Sequence, residues 1–372
     1  MNRLTKTIAV DCRPFTVHLT GIGNFLRNAL DTLIKVHPEM RIILLSPVPF
    51  HESLGRDYSR FGNVEVIVEP FISPKNLQIV WYSFKLPFLL NRIKADVLLT
   101  AQPQLPLFFL SRIRKVITVH DVVNIEFAET MTFSNKLLNK VFFSRALRKT
   151  DALWFNSDYT RSKVLAYYPK LSAKPQIVGL SINTELFRRL GLSAGEKRAV
   201  LASYGVTGGR TILFVGSLEP RKNLTFLLSL MPELYRRGVS LLVVGARGWK
   251  NSDIAAFVSR PSFPKESTVF CGYVSDDDLV KLYNSVDCFV STSRNEGFGM
   301  PQLEAMFCGC PVVSPNNSAM TEVVGGRGLL IDGWDRDHWV DRIVSYLDEE
   351  HPDPDLSGFS WPAIIDRFDT LI

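Results

Sequence analysis

Short runs of consecutive hydrophobic residues alternate with longer stretches of helical periodicity along the whole chain. The first half contains IAV, RIILL, VEVIV, ADVLLT, VITVH and ALWFN, and the rhythm restarts at Thr211 with TILFV, SLLVV, TVFCG, CFVST, PVVS and GLLI. Strands that are hydrophobic at every residue are covered on both faces, and helices between them suit parallel crossover connections. The pattern therefore predicts an α/β protein with two doubly wound, Rossmann-like domains.

The polar, glycine-containing stretch RRLGLSAGEKR separates the two series of strands, so we place the domain boundary between Leu186 and Gly208. The predicted domains are residues 1–190 and 191–357. The final segment, residues 358–372, has the spacing of a short amphipathic helix that, on sequence alone, caps the second domain as readily as it returns to the first. Ligands of open parallel sheets bind beyond the carboxyl ends of the strands, so we expect a cleft between the two sheets.

The length of 372 residues is enough for two domains with their own cores, and the hydrophobic content of 46% fits a globular protein. The N-terminal apolar stretch, residues 8–10, is shorter than the core of a signal peptide. The longest apolar region, residues 77–90, is broken by Lys85 and Pro87 and is shorter than the roughly 20 residues that cross a bilayer. We therefore expect neither export nor a membrane span.

The five cysteines are odd in number and lack the spacing of a metal site, which fits a reduced cytoplasmic protein. The formal net charge of +6 is compatible with an anionic ligand, an anionic membrane surface or nucleic acid, and it does not distinguish them. Basic residues are dispersed and are not grouped with aromatic residues. This distribution disfavours a nucleic-acid-binding protein.

The most informative motif is a pair of carboxylates, Glu296 and Glu304, separated by GFGMPQL after a hydrophobic strand. Gly297 and Gly299 allow the backbone to turn sharply and approach a ligand closely. Pro301 suits the first position of a helix, whose N-terminal amides favour an anion. The carboxylates accept hydrogen bonds from hydroxyls, which a sugar or a ribose provides. The motif predicts a cradle for a polar ligand, although a helix start with surface glutamates has the same spacing.

A second motif, GSLEPRKN, follows the strand TILFV and contains Ser217, Arg221 and Lys222. A fixed guanidinium fork and a movable ammonium together suit a diphosphate without a metal ion. A solvated basic loop is the alternative. Taken together, the two motifs resemble the donor site of family 4 glycosyltransferases, which are retaining enzymes with the GT-B fold.

The resemblance covers almost the whole chain, and its specific motifs lie in the second half. It implies that Arg221 and Lys222 stabilise the departing diphosphate, that Glu296 contacts hydroxyls of the transferred sugar and that Glu304 accepts the ribose hydroxyls. It also implies two sheets that face a central cleft, with the final segment crossing back to the first domain.

The remaining donor-site positions act mainly through their backbone. By the resemblance, a four-residue loop lines the sugar and the diphosphate, and it consists of Gly297, Phe298, Gly299 and Met300. Ser217 belongs to the turn that carries the cations, and the backbone around Val274 touches the nucleobase. Acidic residues 276–278 follow, but Ser275 is a good N-cap and acids favour a first helical turn. We interpret this run as helix capping and predict no metal ion.

In the first domain, Gly21 and Gly23 lie at a helix start that either faces a phosphate or is an ordinary tight turn. The family uses the corresponding loop to face the donor diphosphate, which assigns Gly23 to the donor site. The loop lacks the GxGxxG fingerprint of a nicotinamide or flavin site. His120 ends the strand VITVH beside Asp121, and the resemblance places it near the transferred sugar, with a structural pair as the alternative. No protein base is implied, because the leaving phosphate takes the acceptor proton.

Together with these residues, the resemblance implies a retaining, metal-independent glycosyltransferase that uses no cofactor. The donor expected first is GDP-mannose, with UDP-sugars next, and the acceptor is a saccharide or a polyprenyl-linked saccharide in surface polysaccharide biosynthesis. The alternatives are a nucleotide-sugar epimerase on the same scaffold and a non-catalytic nucleotide-binding protein. A phosphorylase is disfavoured, because it needs a lysine-bound pyridoxal phosphate and a longer chain.

A basic amphipathic segment, SNKLLNKVFFSRALRK at residues 134–149, is compatible with contact with anionic lipid, and the aromatic segment at residues 81–88 would join it. An ordinary surface helix with its apolar side in the core is the alternative. We expect a cytoplasmic protein, with peripheral contact at the inner face of the cytoplasmic membrane as a hypothesis.

Overall fold

The computed structural model describes residues 6–70, 78–122, 142–245 and 252–372. The chain divides into two compact units, one of Met1–Ser181 with Phe359–Ile372 and one of Ile182–Gly358. The division thus lies just before the window of residues 186–208 that the sequence pattern indicates. The final segment belongs to the first unit.

The first unit is built on a parallel seven-stranded sheet of order β3-β2-β1-β4-β5-β6-β7. Its strands are β1 (Thr7–Asp11), β2 (Arg41–Ser46), β3 (Val64–Val68), β4 (Val97–Thr100), β5 (Arg114–Val119), β6 (Ala152–Phe155) and β7 (Gln176–Val178). Strands β1, β4 and β6 are buried at every residue, which explains their uninterrupted apolar sequences. The strand order reverses between β1 and β4, and this reversal is the topological switch point of the unit.

Two helical layers cover this sheet. The helices are α1 (Gly21–Val36), α2 (Leu86–Arg92, preceded by a π-helical segment at Trp81–Lys85), α3 (residues 142–149), α4 (Asp158–Tyr167) and a C-terminal helix (Trp361–Phe368). Side chains of α2, α3 and the loop of residues 101–113 share one core cluster with Leu153 and Phe155 of β6. Because side chains alternate along a strand, these segments lie on one face of the sheet.

The opposite face carries Trp154, which is fully buried. Its ring packs against Phe25 of α1, with centroids 5.1 Å apart, and against Trp361 and Phe368 of the C-terminal helix at 6.4 and 5.4 Å. The indole N–H donates a hydrogen bond to the Gly179 carbonyl at 2.8 Å. The C-terminal helix is therefore an integral part of the first unit's core.

The second unit is built on a parallel six-stranded sheet of order β10-β9-β8-β11-β12-β13. Its strands are β8 (Arg210–Val215), β9 (Val239–Val244), β10 (Thr268–Gly272), β11 (Cys288–Val290), β12 (Val312–Pro315) and β13 (Leu329–Ile331). Its helices are α5 (Ala194–Ser203), α6 (Leu224–Arg236), α7 (Ser252–Val258), α8 (Asp276–Tyr283), α9 (Met300–Phe307), α10 (Met320–Val323) and α11 (Arg336–Leu347). The order reverses between β8 and β11. The predicted α/β class with two parallel sheets is confirmed.

Close backbone packing joins the carboxyl ends of β8, β9 and β10. Gly216 donates its N–H to the Val244 carbonyl at 3.0 Å, and Gly245 donates to the Gly272 carbonyl at 2.8 Å. Gly245 has a φ of 152°, and a Cβ there would lie 1.9 Å from the Gly216 carbonyl oxygen. Only glycine fits this position, so the loops that follow these strands start side by side.

In the part of the chain that the structure describes, no helix combines the length and the apolar character that crossing a bilayer requires.

Candidate active site

The turn after β8 and the loop after β11 meet at the switch point of the second unit. Pro220–Lys222 form a 3-10 turn, and Asn223 follows in a left-handed conformation with a φ of 55°. Thr292, just beyond β11, donates its hydroxyl to the carbonyl oxygens of Lys222 at 3.1 Å and Asn223 at 3.2 Å. The backbone that carries the predicted cations is thus fastened to the backbone that leads to the predicted carboxylate.

Glu296 is 7% exposed, and two cations bind its carboxylate. Arg221 donates Nη1–H to Oε2 at 2.6 Å, Lys222 donates Nζ–H to Oε1 at 2.5 Å, and the Ser293 hydroxyl donates to Oε1 at 2.7 Å. Burial alone would raise the pKa of Glu296, but the adjacent Lys222 and Arg221 outweigh burial and lower it to about 2. Glu296 is therefore a carboxylate over the whole physiological pH range.

The loop after β12 fixes the backbone of Glu296. The Glu296 N–H donates to the Ser318 hydroxyl oxygen at 3.0 Å, and the Ala319 N–H donates to the Glu296 carbonyl at 3.4 Å. Arg221 also donates to the Asn295 carbonyl at 2.8 Å. Loops from three neighbouring strands, β8, β11 and β12, thus converge on one acidic side chain.

A further carboxylate, Glu219, binds the second terminal nitrogen, Nη2, of the Arg221 guanidinium. Its Oε1 accepts from Arg221 Nη2 at 3.1 Å and from the exposed Ser217 hydroxyl at 2.9 Å. The stem of Lys222 lies over Gly216, where a Cβ would stand 3.4 Å from Cε of the lysine. Sequence reasoning singled out Ser217 but missed Glu219 and Ser293, although both lie within a few residues of the predicted cations or acid. Their roles become visible only from the hydrogen bonds.

The GFGM loop makes a sharp entry into α9. Gly299 is the N-cap of this helix with a φ of 105°, a conformation that L side chains rarely adopt. The helix begins at Met300, one residue before Pro301, where the sequence pattern placed its start. Phe298 is buried and Gly297 is partly exposed. The loop therefore passes directly from the carboxyl end of β11, past Glu296, into the amino end of α9.

Glu304 is a partly exposed residue of α9. The Tyr283 hydroxyl donates to its Oε2 at 3.3 Å. Burial raises the pKa of Glu304 to about 7 and negative Asp276 adds to the rise, whereas the tyrosine hydrogen bond and the charge of Lys222 oppose it. Near neutral pH this side chain is therefore present both as a carboxylic acid and as a carboxylate. The influence of Lys222 places Glu304 in the electrostatic field of the ion-pair cluster.

Val274 lies partly exposed between β10 and α8, at the same carboxyl edge of the sheet. The Ser275 hydroxyl accepts the Asp278 N–H at 3.1 Å, and Asp278 pairs with Lys281 at 2.9 Å. The acidic run is a helix cap, as predicted. Among residues 6–70, 78–122, 142–245 and 252–372, no group of three or more His, Cys, Asp or Glu side chains is placed to hold a metal ion. Metal independence of the reaction stays a prediction.

His120 follows β5 in the first unit, and both of its ring nitrogens are engaged. Nε2 lies 2.7 Å from the Ala101 carbonyl oxygen and Nδ1 lies 2.8 Å from Asn156 Nδ2. Because a carbonyl only accepts, Nε2 carries the proton and Nδ1 accepts from the amide. Burial lowers the pKa of His120 against the opposing effects of these partners and Asp121. The side chain is a fixed, neutral imidazole, and the sequence pattern did not identify Asn156 as its partner.

Gly23 lies in the first turn of α1, which begins at Gly21. The residue is buried, and a Cβ there would lie 2.5 Å from Leu19 Cδ2 and 3.4 Å from the Pro14 carbonyl oxygen. Packing within the first unit therefore accounts for this glycine. Contact with a donor phosphate stays a prediction.

A buried ion pair that sequence reasoning missed occupies the switch point of the first unit. Arg13 donates Nη2–H to Asp11 at 2.8 Å, and both residues are almost fully buried. Arg13 also donates to the Gln104 side chain at 3.2 Å, and its guanidinium carbon lies 3.5 Å from the centroid of the Tyr82 ring. The sequence signal that could have indicated this ion pair is Asp11, an acidic residue at the end of the apolar strand β1.

Residues 209–349 match the family model described as Glycosyl transferases group 1. O-antigen chain mannosyltransferase B of Escherichia coli is 34% identical over 198 residues, which are 52% of this chain and 51% of the relative, so the chain spans about half the length of that protein. Sucrose-phosphate synthase from Thermosynechococcus elongatus superimposes with a TM-score of 0.73 at 16% identity, over 98% of each chain. Anabaena HepE in complex with UDP-glucose has a TM-score of 0.72 at 16% identity, over 98% of this chain and 99% of HepE.

The chain shares the GT-B fold of these solved structures over almost its full length, and the acid with its two cations lies at the switch point of the second sheet. Residues 209–349, which contain both motifs, are similar to the group 1 glycosyl transferases. The expected fold is confirmed, and the family match covers the part of the chain that carries the two motifs.

We expect Lys222→Met to destabilise the protein at pH 7 and to destabilise it less at pH 3. A carboxylate whose folded pKa is lowered contributes stability that is present above its unfolded value of 4.5 and is lost as the pH falls towards about 2. Removing Lys222 raises the pKa of Glu296 towards its unfolded value, so the loss of unfolding free energy should be about 3 kcal/mol at pH 7 and smaller at pH 3. Urea denaturation at pH 3, 5 and 7, followed by circular dichroism, measures both effects.

The matched control is Lys281→Met, which removes a lysine from an exposed pair with Asp278 and should change the unfolding free energy by about 0.5 kcal/mol or less. If the two variants lost the same stability at every pH, the ion pairs of Glu296 would contribute no more to folding than an exposed surface pair.

Proposed function

We propose that this protein is a retaining, metal-independent glycosyltransferase that transfers a hexose from a nucleotide-diphosphate sugar to a saccharide acceptor. The observation that carries the proposal is the buried Glu296 carboxylate, bound at 2.5 to 2.6 Å by Lys222 and Arg221 where the loops of the switch point meet. Ligands of doubly wound sheets bind at this place, beyond the carboxyl ends of the strands.

The chemical requirement is to accept negative charge on the leaving diphosphate. As the bond between the sugar C1 and the phosphate oxygen breaks, charge accumulates on the departing group, and preorganised cations lower the energy of that state. Arg221 offers a planar guanidinium with five N–H groups and Lys222 an ammonium with three, of which Glu296 accepts one from each. Glu296 thus holds both cations in position before the donor arrives.

The proposed reaction retains the configuration at the anomeric carbon. The acceptor hydroxyl attacks C1 from the face on which the diphosphate leaves, a new C1–O bond forms, and the acceptor proton passes to a phosphate oxygen of the leaving group. No side chain then has to remove a proton. A neutral His120, whose two nitrogens already have partners, fits a positioning role near the transferred sugar and not that of a base.

The donor nucleoside is proposed to bind beside α9. Glu304 would accept hydrogen bonds from the two ribose hydroxyls, and the backbone around Val274 would contact the base. The loop from Gly297 to Met300 would lie along the sugar and the diphosphate. Both Gly299, whose φ is 105°, and the amino end of α9 suit a close approach of an anion.

We propose mannose from GDP-mannose as the preferred donor, because the relative with 34% identity is a mannosyltransferase. A UDP-sugar is the second choice, because HepE, whose fold this chain shares, is described in complex with UDP-glucose. The proposed acceptor is a free or polyprenyl-linked saccharide in surface polysaccharide biosynthesis, as the name of the mannosyltransferase relative suggests. A cytoplasmic location with peripheral membrane contact completes the proposal, although residues 134–141 of the basic segment lie outside the described residues.

Arg221→Ala should reduce kcat roughly 100- to 1,000-fold, because it removes a cation that acts on the leaving group. Transfer from radiolabelled GDP-mannose to a mannose-terminated oligosaccharide measures the effect, and thermal unfolding verifies that the variant folds. Arg237→Ala is the control, because this exposed arginine at the end of α6 pairs with Glu233 and Asp341 far from the predicted acid. Its kcat should stay within about twofold of wild type.

Near-normal transfer by the folded Arg221→Ala variant would contradict the assignment of the leaving-group site. An epimerised sugar formed from the donor alone, with no acceptor present, would instead identify an epimerase.

Donor binding should tighten as the pH rises from 6 to 8. The pKa of Glu304 is raised to about 7, so its carboxylate fraction increases roughly tenfold over this range, and only the carboxylate accepts hydrogen bonds from both ribose hydroxyls. Isothermal titration calorimetry with an intact nucleotide sugar, whose diphosphate does not titrate in this range, should show an affinity gain of up to about tenfold.

Glu304→Gln should bind more weakly and lose this pH dependence, whereas Glu350→Gln, which removes an exposed carboxylate, should keep it. A slope that survives in Glu304→Gln would assign the titration to another group.

A panel of nucleotide sugars should identify the base. We expect GDP-mannose to raise the melting temperature more than UDP-glucose, ADP-glucose or dTDP-glucose at equal concentration, because preferential binding to the folded state increases its stability. Mannose 1-phosphate is the control for a contribution of the sugar phosphate alone. A larger shift with UDP-glucose would replace the proposed donor and leave the family assignment intact.

A further inference from the structure

The first unit carries a cluster of apolar side chains at its surface, which we call the aromatic patch. It consists of the exposed Phe84, Phe88, Leu107 and Leu110 and the partly exposed Phe108. The exposed fractions of Phe84 and Phe88 are 47% and 56%, and those of Leu107 and Leu110 are 42% and 49%. The Phe108 ring lies 6.2 Å from the Phe84 ring and 6.1 Å from the Phe88 ring. Adjacent apolar residues with this exposure indicate an interaction site.

The patch lies on the outer side of one helical layer. Phe84 and Phe88 are four residues apart in the helical stretch that leads into α2, so they project from the same side. Leu86, Leu89 and Leu90 of this stretch are at most 1% exposed and pack in the core below. Core packing therefore fixes the direction of the two exposed rings, and the exposed rings are not required to fill that core.

The surroundings of the patch are positively charged. Three segments build this face: residues 78–95, 101–113 and 142–149. They contain no Asp or Glu, and they contain seven basic residues, namely Lys85, Arg92, Lys94, Arg112, Arg145, Arg148 and Lys149. Glu69, from outside these segments, pairs with Lys85 and Arg92.

The cations are placed next to the apolar residues. The guanidinium of Arg145 donates hydrogen bonds to the carbonyl oxygens of Leu105, at 3.2 Å, and Leu107, at 2.5 Å, in the loop that carries three of the five patch residues. Through this contact, α3 packs against the loop that carries Leu107, Phe108 and Leu110. Arg112, Arg148 and Lys149, in the same segments, are also exposed.

We propose that the aromatic patch and its basic border form a docking surface for an anionic lipid bilayer. Phenylalanine and leucine side chains enter the region between headgroups and acyl chains, and arginine and lysine at the border bind the lipid phosphates. Phenyl rings and leucines have no group that hydrogen-bonds a saccharide, so a glycan fits this surface poorly. A second copy of the chain fits poorly as well, because a symmetric contact would bring the same basic residues face to face.

This surface would supply the membrane contact of the proposed function, but it is testable without any transfer reaction. The full-length protein is mixed with vesicles of phosphatidylcholine, with or without 30% phosphatidylglycerol, in 0.1 M NaCl, and the bound fraction is measured by flotation. We expect at least about tenfold stronger binding to the anionic vesicles and loss of most of it in 0.5 M NaCl.

Two double variants separate the apolar and the ionic contributions. Phe84→Ser with Phe88→Ser should weaken binding to anionic vesicles at least about tenfold, because each inserted ring contributes through the apolar area that it buries. Arg112→Glu with Arg148→Glu should weaken it at least about tenfold, since each cation near the surface contributes about fivefold. The second pair changes exposed charges only, so it reports on docking even if the first pair loses stability.

The matched controls are Tyr167→Ser with Tyr235→Ser, which removes two exposed aromatic rings elsewhere, and Lys197→Glu with Arg198→Glu, which reverses two exposed charges on α5. Both should bind vesicles within about twofold of wild type. Binding of the nucleotide sugar is measured on the same samples and tests the proposed donor site in the second unit. A protein that binds the donor but not the vesicles contradicts the docking surface alone, and a protein that binds vesicles but not the donor contradicts the proposed function alone.

Absence of wild-type binding to anionic vesicles, equal binding to neutral vesicles, or unchanged binding by both patch variants would overturn the inference. Concentration-dependent self-association without vesicles that disappears in Phe84→Ser with Phe88→Ser would also overturn it, because the patch would then be a contact between two copies.

Discussion

The buried carboxylate of Glu296 is the constraint on which the candidate donor site depends. An acid with only 7% exposure stays ionised because Arg221 and Lys222 lie within hydrogen-bond distance, and the same acid keeps two like charges next to each other. Hydrogen bonds between side chains and backbone connect the three loops that converge there: the Thr292 hydroxyl donates to the Lys222 carbonyl, and the Ser318 hydroxyl accepts from the Glu296 N–H. In the proposed reaction, cations that are already held in place need little reorganisation when charge develops on the leaving diphosphate.

The two units have buried ion pairs at equivalent places in their sheets, but the surroundings of these ion pairs differ. Each sheet reverses its strand order at a switch point, and each switch point holds a buried ion pair, Arg13 with Asp11 in the first unit and the Glu296 cluster in the second. In the first unit the guanidinium is enclosed by the aspartate, Gln104 and the Tyr82 ring, which suits a structural role. In the second unit the cations lie on a turn between strand and helix, where a ligand has access.

Much of the fold and part of the site could be predicted from the sequence, because apolar strands and strand-to-helix turns are local signals. The run before Glu296, the glycines after it and the adjacent Arg221 and Lys222 are readable without coordinates. Two features could not be predicted from the sequence. The hydrogen bond between Glu219 and Arg221 depends on the rotamers of two nearby side chains. The hydrogen bond of His120 with Asn156 joins segments that are distant in sequence. Packing against Leu19 is sufficient to account for Gly23, and contact with a donor phosphate would require glycine at this position as well, so the sequence does not distinguish the two reasons.

The placement of the C-terminal helix has a consequence for biosynthesis. The first unit is discontinuous, since Trp361 and Phe368 complete the core around Trp154 although the whole second unit precedes them in the chain. During translation, α1 and β6 therefore emerge with an apolar face that stays uncovered until residues 359–372 have been made, whereas the second unit is contiguous and can fold earlier. The nascent protein passes through a stage in which the half that contains Glu296 is mature and the other half still needs protection from aggregation.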